Sequence, residues 1–457
     1  MSRQAVVILG LARQGKALAR FYAEQGWHVT VSDSRPADVL QAAQAELAAW
    51  PISYALGGHP ESLLDTCDLL CLSGGVPAEL PLVAAARARG IPVSNDAQEF
   101  LRRCPAPIVG ITGSAGKTTT TALVGAMLRE AGYTTWVGGN IGNPLISDLR
   151  HIRPTDRVVM ELSSFQLELM THSPQIAAVL NVTPNHLDRH KTMDAYLAAK
   201  RNIVAHQQPE DVAVLGLDDA RAAALASATL AQIRYFSSAH AVAKGACLHG
   251  DWLALRCGGQ IIHVCRRDEV HLRGAHNILN TLAAITLAST AGAPVTALRR
   301  AIAGFRGVEH RLEMVRQRRD VTWINDSMAS APERVLAALA AFDEPLLLLA
   351  GGRDKDLPWE TWAQRVVERV RVLALFGEAQ PMLVEQIKRV WQPGQPGARL
   401  ERLECADTLE RAVTLAAAAA QPGDVALLSP GGTSFDAYQD FAARGAHFRT
   451  LVAALED

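Results

Sequence analysis

The sequence predicts an α/β protein built from three successive units of mostly parallel sheet. Two observations carry that expectation. Short apolar runs alternate with longer segments of helical period along most of the 457 residues, which is the pattern of βαβ units. Apolar runs also lead directly into glycine-rich turns, at Gly10, Gly110 and Gly351, as strands do where a parallel sheet hands over to its helices. The expected boundaries are 1–97, 98–308 and 309–457.

The first unit opens with strand Ala5–Gly10, helix Lys16–Glu24 and strand His28–Asp33. Strands Leu69–Ser73 and Ile91–Val93 follow, and the unit closes where segment Asp96–Leu101 begins. This order is Rossmann-like. The second unit starts with the apolar run Pro107–Val109, a glycine turn and helix Thr119–Leu128. Strands Val158–Leu162, Ile176–Asn181 and Val212–Leu215 come next, then a β-rich stretch over 233–270 and helix Asn277–Leu287. The third unit begins near Glu309 and is again Rossmann-like. Its strands are Val321–Ile324, Leu346–Ala350, Val372–Phe376 and Val425–Leu428. The alanine run Leu415–Ala420 reads as helix, alanine being the strongest helix former.

Composition narrows the function classes. Hydrophobic residues at 49% and charged residues at 20% describe a globular chain with ample core. A net charge of −1 leaves no electrostatic footprint for nucleic acid. Seven cysteines lie scattered without metal-binding spacing, as expected of reduced thiols in the cytosol. Apolar stretches break well before about 18 residues, so no membrane span is expected. The N-terminal residues run into a strand without a signal-peptide layout, which again points to a cytoplasmic protein.

The strongest motif is Gly110-Ile-Thr-Gly-Ser-Ala-Gly-Lys-Thr-Thr-Thr120. Strand, glycine turn, Lys-Thr and helix form a phosphate-binding loop, so the central unit is P-loop NTPase-like. The backbone N–H groups of Gly113, Ser114, Ala115 and Gly116 can approach phosphate oxygens. The helix N-terminus and Lys117 add positive charge, and Thr118, followed by Thr119, can offer a hydroxyl to Mg²⁺. The usual spacing needs glycine at position 111, where this chain has Ile111.

Other candidates are weaker singly. Gly10-Leu-Ala-Arg-Gln-Gly15 keeps only the outer glycines of a dinucleotide fingerprint, and Asp33 ends the next strand. A nucleotide or nucleotide-sugar pocket fits better than nicotinamide, with a plain turn as the alternative. Glu161 ends a strand, where a carboxylate can hold Mg²⁺, although such glutamates are often simply solvated. His186 and Asp188 follow another strand and are expected in a loop. With Lys117, Thr118 and Glu161 they suggest a two-metal phosphoryl site. Lys200 follows on a short helix and, on residue physics alone, reads as a surface lysine. Asn277 and Asn280 stand one helical turn apart, suited to an adenine edge or to helix capping. Arg311 and Asp326 are candidates for phosphate and ribose. The turns Gly351–Asp356 and Ser429–Ser434 look anion-binding, with Lys355 and Ser434 as candidate carboxylate contacts, or are ordinary βα turns.

Together these residues resemble the Mur ligases, the ATP-dependent amide-forming family of peptidoglycan precursor synthesis. The resemblance runs over essentially the whole chain. It is carried by Gly110–Thr120, Gly139–Pro144, Glu161–Glu168, Asn181–Arg189, Gly274–Asn280 and His310–Glu313. Asn325-Asp-Ser327 and Phe441-x-x-Arg-Gly-x-x-Phe448 place it with the D-glutamate-adding branch. The resemblance implies that the carboxylate of UDP-N-acetylmuramoyl-L-alanine takes the γ-phosphate of ATP, and that the amine of D-glutamate then displaces phosphate.

The resemblance also implies residue roles. Gly113, Ser114, Ala115, Gly116, Lys117, Thr118, Thr119, Asn277, Arg311 and Asp326 would bind ATP. Thr118, Glu161, His186 and a carbamylated Lys200 would hold two Mg²⁺ ions, and Lys117, Glu161, His186 and Lys200 would form the catalytic set. Leu11, Ala12, Arg13, Asp33, Ser34, Gly74, Asn140 and His186 would bind the UDP substrate. Lys355, Ser434 and Phe441 would bind glutamate. A monomer without nucleic-acid or membrane partners is expected. Met328-Ala-Ser330 stands where relatives often carry Lys-Ala-Thr, so a related amide ligase for L-glutamate, or a folate polyglutamylating one, is the alternative.

Overall fold

The computed structural model describes residues 4–355 and 357–456. Three sheets carry the chain. The first has β1 (Ala5–Leu9), β2 (His28–Asp33), β3 (Ile52–Leu56), β4 (Leu69–Leu72) and β5 (Val93–Asn95), all parallel, in the order β3-β2-β1-β4-β5. The second has β6 (Ile108–Thr112), β7 (Thr135–Gly139), β8 (Arg157–Glu161), β9 (Ile176–Val179), β10 (Val212–Gly216), β11 (Gln232–Ser237), β12 (Gly245–His249), β13 (Trp252–Cys257) and β14 (Gln260–Arg266). Their order is β14-β13-β12-β11-β10-β9-β6-β8-β7, parallel except for the first two pairings, β14 with β13 and β13 with β12. The third has β15 (Glu313–Arg318), β16 (Val321–Asn325), β17 (Leu346–Gly351), β18 (Val370–Phe376), β19 (Arg402–Cys405) and β20 (Val425–Gly431), in the order β15-β16-β20-β17-β18-β19, with only β15 antiparallel.

The central strands are apolar because both of their faces are covered. Every residue of β6, β9, β17 and β20 is buried, as parallel sheets between helices require. The strands that sequence periodicity did not show, β3, β7, β15 and β19, are all edges of their sheets. Edge strands are half solvated and need no continuous apolar run. The expected strand Ile91–Val93 is likewise displaced, to the edge strand β5 at Val93–Asn95.

By contacts the chain divides into two compact units. One comprises residues 1–271 with 275–305, the other 272–274 with 306–457. The first two sheets therefore share a unit, and buried polar contacts join them. Asn95 Nδ2 donates to Gln166 O at 2.8 Å, and Gln98 Oε1 accepts from Thr171 N at 2.7 Å. Helix Asp96–Arg103 between the sheets carries Glu99, which accepts from Tyr22 Oη and from Ser94 Oγ, both at 2.5 Å, and from Arg103. All but Arg103 of this cluster is buried. Tyr22→Phe removes one donor from a buried carboxylate and is expected to lower unfolding stability by about 1–3 kcal/mol, read as a lower denaturant midpoint. An unchanged midpoint would show the hydrogen bond to be energetically neutral.

Candidate active site

The phosphate-loop motif occupies the turn after β6, between the ends of β8 and β9, the crevice position expected for ligands in an open sheet. Helix Lys117–Glu130 begins there, behind Gly116 at φ +83°. A Cβ on Gly116 would lie 2.2 Å from Asn280 Oδ1, so helix Ala275–Thr290 abuts the loop and no side chain fits. Asn280 Nδ2 donates to Asn277 Oδ1 at 2.9 Å, which orients both asparagines at the loop. Asn181 fixes the other side: its backbone O accepts from Ser114 N at 3.0 Å, and its Oδ1 accepts from Ala115 N at 2.9 Å. Ser114 Oγ and Tyr196 Oη are 3.0 Å apart. Lys117 Nζ donates to Gly113 O at 2.9 Å.

Beside the loop, Glu161 is buried at the end of β8. Its Oε2 accepts from Thr118 Oγ1 at 2.9 Å and its Oε1 from Asn140 Nδ2 at 2.8 Å. The Asn140 N–H also donates to Glu161 O at 2.9 Å. A carboxylate beside a hydroxyl at a helix N-terminus is a hard oxygen donor set that suits Mg²⁺. Among the described residues no three His, Cys, Asp or Glu side chains form a ligating cluster.

Lys200 is not a surface lysine. Its helix runs Met193–Ala205, and the residue is 1% exposed. Nζ donates to Thr112 Oγ1 at 3.3 Å and lies 4.7 Å from the centre of the Tyr196 ring. Burial pushes its ammonium well below the ordinary lysine range; the Lys117 charge adds to this and Glu161 opposes it. His186 lies in the loop, as expected, whereas position 188 falls in a short helix. At φ 54° His186 precedes the short helix Leu187–His190, and its exposed ring packs edge-on against Phe165 with centroids 5.1 Å apart. The Asp188 side chain lies outside the described residues.

The first turn of the N-terminal sheet is closed tightly. A Cβ on Gly15 would sit 1.8 Å from Gly10 O. Asp33 is buried and engaged within the fold: it accepts from Leu11 N at 2.8 Å and from Arg35 Nε and Nη2 at 2.9 and 2.8 Å. Arg35 first, against the cost of burial, holds this carboxyl well below the usual carboxylate range. Asp33 thus shapes the turn. Ala12, Arg13 and Ser34 are the exposed members, and Leu11 is buried. Gly74 N donates to Gln14 Oε1 at 2.8 Å. Arg13 Nη2 donates to Asn140 O at 3.2 Å, linking this turn to the Glu161 cluster.

In the other unit, Asp326 follows β16 and is buried. It accepts from Ser429 Oγ at 2.9 Å and from Leu312 N at 3.3 Å. Burial pushes its carboxyl up to about 7, against the Ser429 hydrogen bond and the Arg311 charge. Arg311 is half-buried in the turn before β15. Asn325 Nδ2 reaches His310 Nδ1 at 3.0 Å, Glu313 Oε2 at 3.0 Å and Gly445 O at 3.2 Å.

The Arg444 guanidinium is fully buried and donates to Ser327 Oγ and O and to Gly432 O. Ser327 Oγ in turn donates to Phe441 O at 2.7 Å. Ser434 is buried, whereas Lys355 and Phe441 are exposed. Partial desolvation, with the Arg334 charge second, pulls the Lys355 ammonium down. Asp356, next to Lys355, lies outside the described residues.

Sequence reasoning missed Asn181 and Tyr196 as supports of the loop and Thr112 as the partner of Lys200. Their signal is positional: each follows or faces a strand end beside the phosphate loop.

Residues 4–95 match the Mur ligase MurD-like N-terminal domain, 111–288 the Mur ligase middle domain, and 310–432 the Mur ligase glutamate ligase domain. The UDP-N-acetylmuramoylalanine–D-glutamate ligase of Symbiobacterium thermophilum is 43% identical over 456 residues, spanning 99% of this chain and 98% of that one. The chain belongs to the Mur ligase family. This Mur ligase is also 37% identical to the protein of the same name from Pelotomaculum thermopropionicum, over 100% of this chain and 98% of the relative. In fold it is similar to UDP-N-acetylmuramate-alanine ligase MurC of Thermotoga maritima, with a TM-score of 0.59 at 18% identity, covering 99% and 100% of the two chains. MurF of Acinetobacter baumannii gives a TM-score of 0.56 at 18% identity, covering 93% and 84%. The Mur ligase fold thus accounts for all three sheets.

Proposed function

We infer that this Mur ligase joins D-glutamate to UDP-N-acetylmuramoyl-L-alanine in peptidoglycan precursor synthesis, with ATP driving the amide bond through an acyl phosphate. The observation that carries the reading is the buried Glu161, held by Thr118 and Asn140 beside the Lys117 loop. A carboxylate is a poor acyl donor until one of its oxygens becomes a phosphate leaving group. The chain supplies what that transfer needs: the N-terminal turn of helix Lys117–Glu130, the Lys117 charge and an oxygen-rich cation site, while Asn181 holds the Ser114 and Ala115 N–H groups and so shapes the loop.

Thr118 and Glu161 would hold Mg²⁺, one of two ions, which would neutralise phosphate charge there. Arg13 and Asn140 orient the nucleotide-sugar end. Lys355, Ser434 and Phe441 hold glutamate, and Asn277, Arg311 and Asp326 hold the nucleotide. Lys200 is suited to carbamylation because a neutral amine is the form that adds to CO₂. The new C–N bond forms as one C=O π bond of CO₂ opens, the amine gives up one proton to water, and a neutral amine becomes an anionic ligand. No helix among the described residues is long and apolar enough to cross a membrane. We take the enzyme to act in the cytoplasm as a monomer.

Phosphate release is expected only when ATP, the UDP-sugar and D-glutamate are all present. Equal or better turnover with L-glutamate would move the enzyme to the opposite stereochemistry, the outcome that Met328-Ala-Ser330 keeps in view.

A further inference from the structure

Helix Pro332–Leu339 starts just after the Met328–Ser330 turn. Its third residue, Arg334, is exposed and turns back, Nη1 donating to Met328 O at 3.2 Å. The neighbouring Val335 is buried against the turn that follows β20. A Cβ on Gly431 would lie 3.2 Å from Val335 Cγ2 and 2.7 Å from the Trp359 ring. Trp359 Nε1 donates to Asp354 Oδ1 at 2.9 Å, which anchors the turn carrying Lys355. Arg353 and Thr433 exchange backbone hydrogen bonds of 2.9 and 2.8 Å, tying that turn to the one carrying Ser434. Ser327, next to Met328, holds Phe441 O. Arg334, Lys355, Ser434 and Phe441 therefore border one group of strand-end turns.

Second to partial desolvation, the Arg334 charge disfavours the charged form of Lys355, as the shared turns lead one to expect. Among the described residues neither forms an ion pair with a carboxylate; Asp326 also feels Arg334, but its carboxyl is buried and engaged by Ser429. Two like charges held together repel, and a bound anion relieves the repulsion. Met328, whose backbone O accepts from Arg334, supplies no charge.

We propose that Arg334 is a specificity-determining residue which, with Lys355, holds the two carboxylates of the incoming glutamate. This rests on the ligase reading above. Glutamate attacks through its amine, so both of its carboxylates need partners, and a guanidinium offers a fork matched to a carboxylate.

The test uses the full chain with saturating ATP and UDP-N-acetylmuramoyl-L-alanine, following phosphate release and amide product. Arg334→Gln is expected to raise the KM for glutamate about tenfold to a hundredfold. The KM values for ATP and the UDP-sugar should stay unchanged, and the preference for glutamate over glutamine should narrow by a similar factor. Arg334→Lys should recover part of the loss. Arg334→Met, which keeps the aliphatic stem, decides the matter if the glutamine variant melts early. An unchanged glutamate KM in the neutral variants overturns the role of Arg334 and leaves the ligase reading standing. A wild type that ligates no glutamate overturns the ligase reading itself.

Discussion

Lys117→Ala is expected to lower ATP-dependent amide formation by about a thousandfold, the loss typical of removing a preorganised charge from a transition state. Lys117 sits in the first turn of helix Lys117–Glu130, where the helix N-terminus already favours anions. It is the ammonium at the mouth of the loop, half-buried, and it donates to Gly113 O at 2.9 Å. Water can replace that donor, so the fold should survive and the thermal midpoint should barely move. The measurement is turnover at saturating substrates, with melting as the control. A loss smaller than about tenfold would place Lys117 outside the transition state. The substitution should also act on its neighbour. The Lys117 charge is one of the causes that keep Lys200 well below the ordinary lysine range, so removing it lets Lys200 become more basic.

How far the chain can be read without coordinates follows from where each signal resides. The strands that bear the site are central, buried on both faces and continuous in apolar residues, so β6, β17 and β20 are visible as runs. The glycine turns after them are visible for the same reason: Gly116 at φ +83° admits no side chain against Asn280. Four of the six edge strands, β3, β7, β15 and β19, are not visible, because a half-solvated strand carries a weak period.

Side-chain partnership is harder still. Asp33 at the end of β2 has the position of a ribose-binding acid, yet its carboxylate is bound by Leu11 N and Arg35 within the fold. Arg334 sits on a helix in an unremarkable Pro-Glu-Arg context, and only the approach of Val335 and Trp359 to Gly431 brings it to the turn of Lys355. Such contacts depend on residues far apart in sequence, for which local pattern has no term. The joining of the first two sheets into one compact unit is of this kind too, since it depends on Asn95, Gln98 and Glu99 meeting Gln166, Thr171 and Tyr22.

Lys200 is the extreme case of a role hidden from local pattern, and Lys200→Ala is the second large effect expected. Its helix presents the ammonium at 1% exposure, against Thr112 and the Tyr196 ring. Burying a bare ammonium is costly unless the group loses its charge or changes chemically; carbamylation takes the second route, giving an anion that a bound cation would neutralise. The neutral amine is favoured because burial and the Lys117 charge act in the same direction and Glu161 alone opposes them. Loss of the carbamate should cost about a hundredfold or more in activity, since it removes an anionic ligand from the cation site.

The decisive observation is rescue. Formate or acetate can diffuse into the space left by the truncated side chain and replace the missing carboxylate, so part of the activity should return with a short carboxylate and none with a small amine. The opposite pattern, rescue by the amine alone, would show that Lys200 acts as a cation. A substitution without loss would remove it from the site altogether. In the wild type the carbamate requires the unprotonated amine, so activity at fixed bicarbonate should rise with pH only through the depressed titration of Lys200, below the ordinary lysine range, and level off above it; Lys200→Ala rescued by formate should lose that rise.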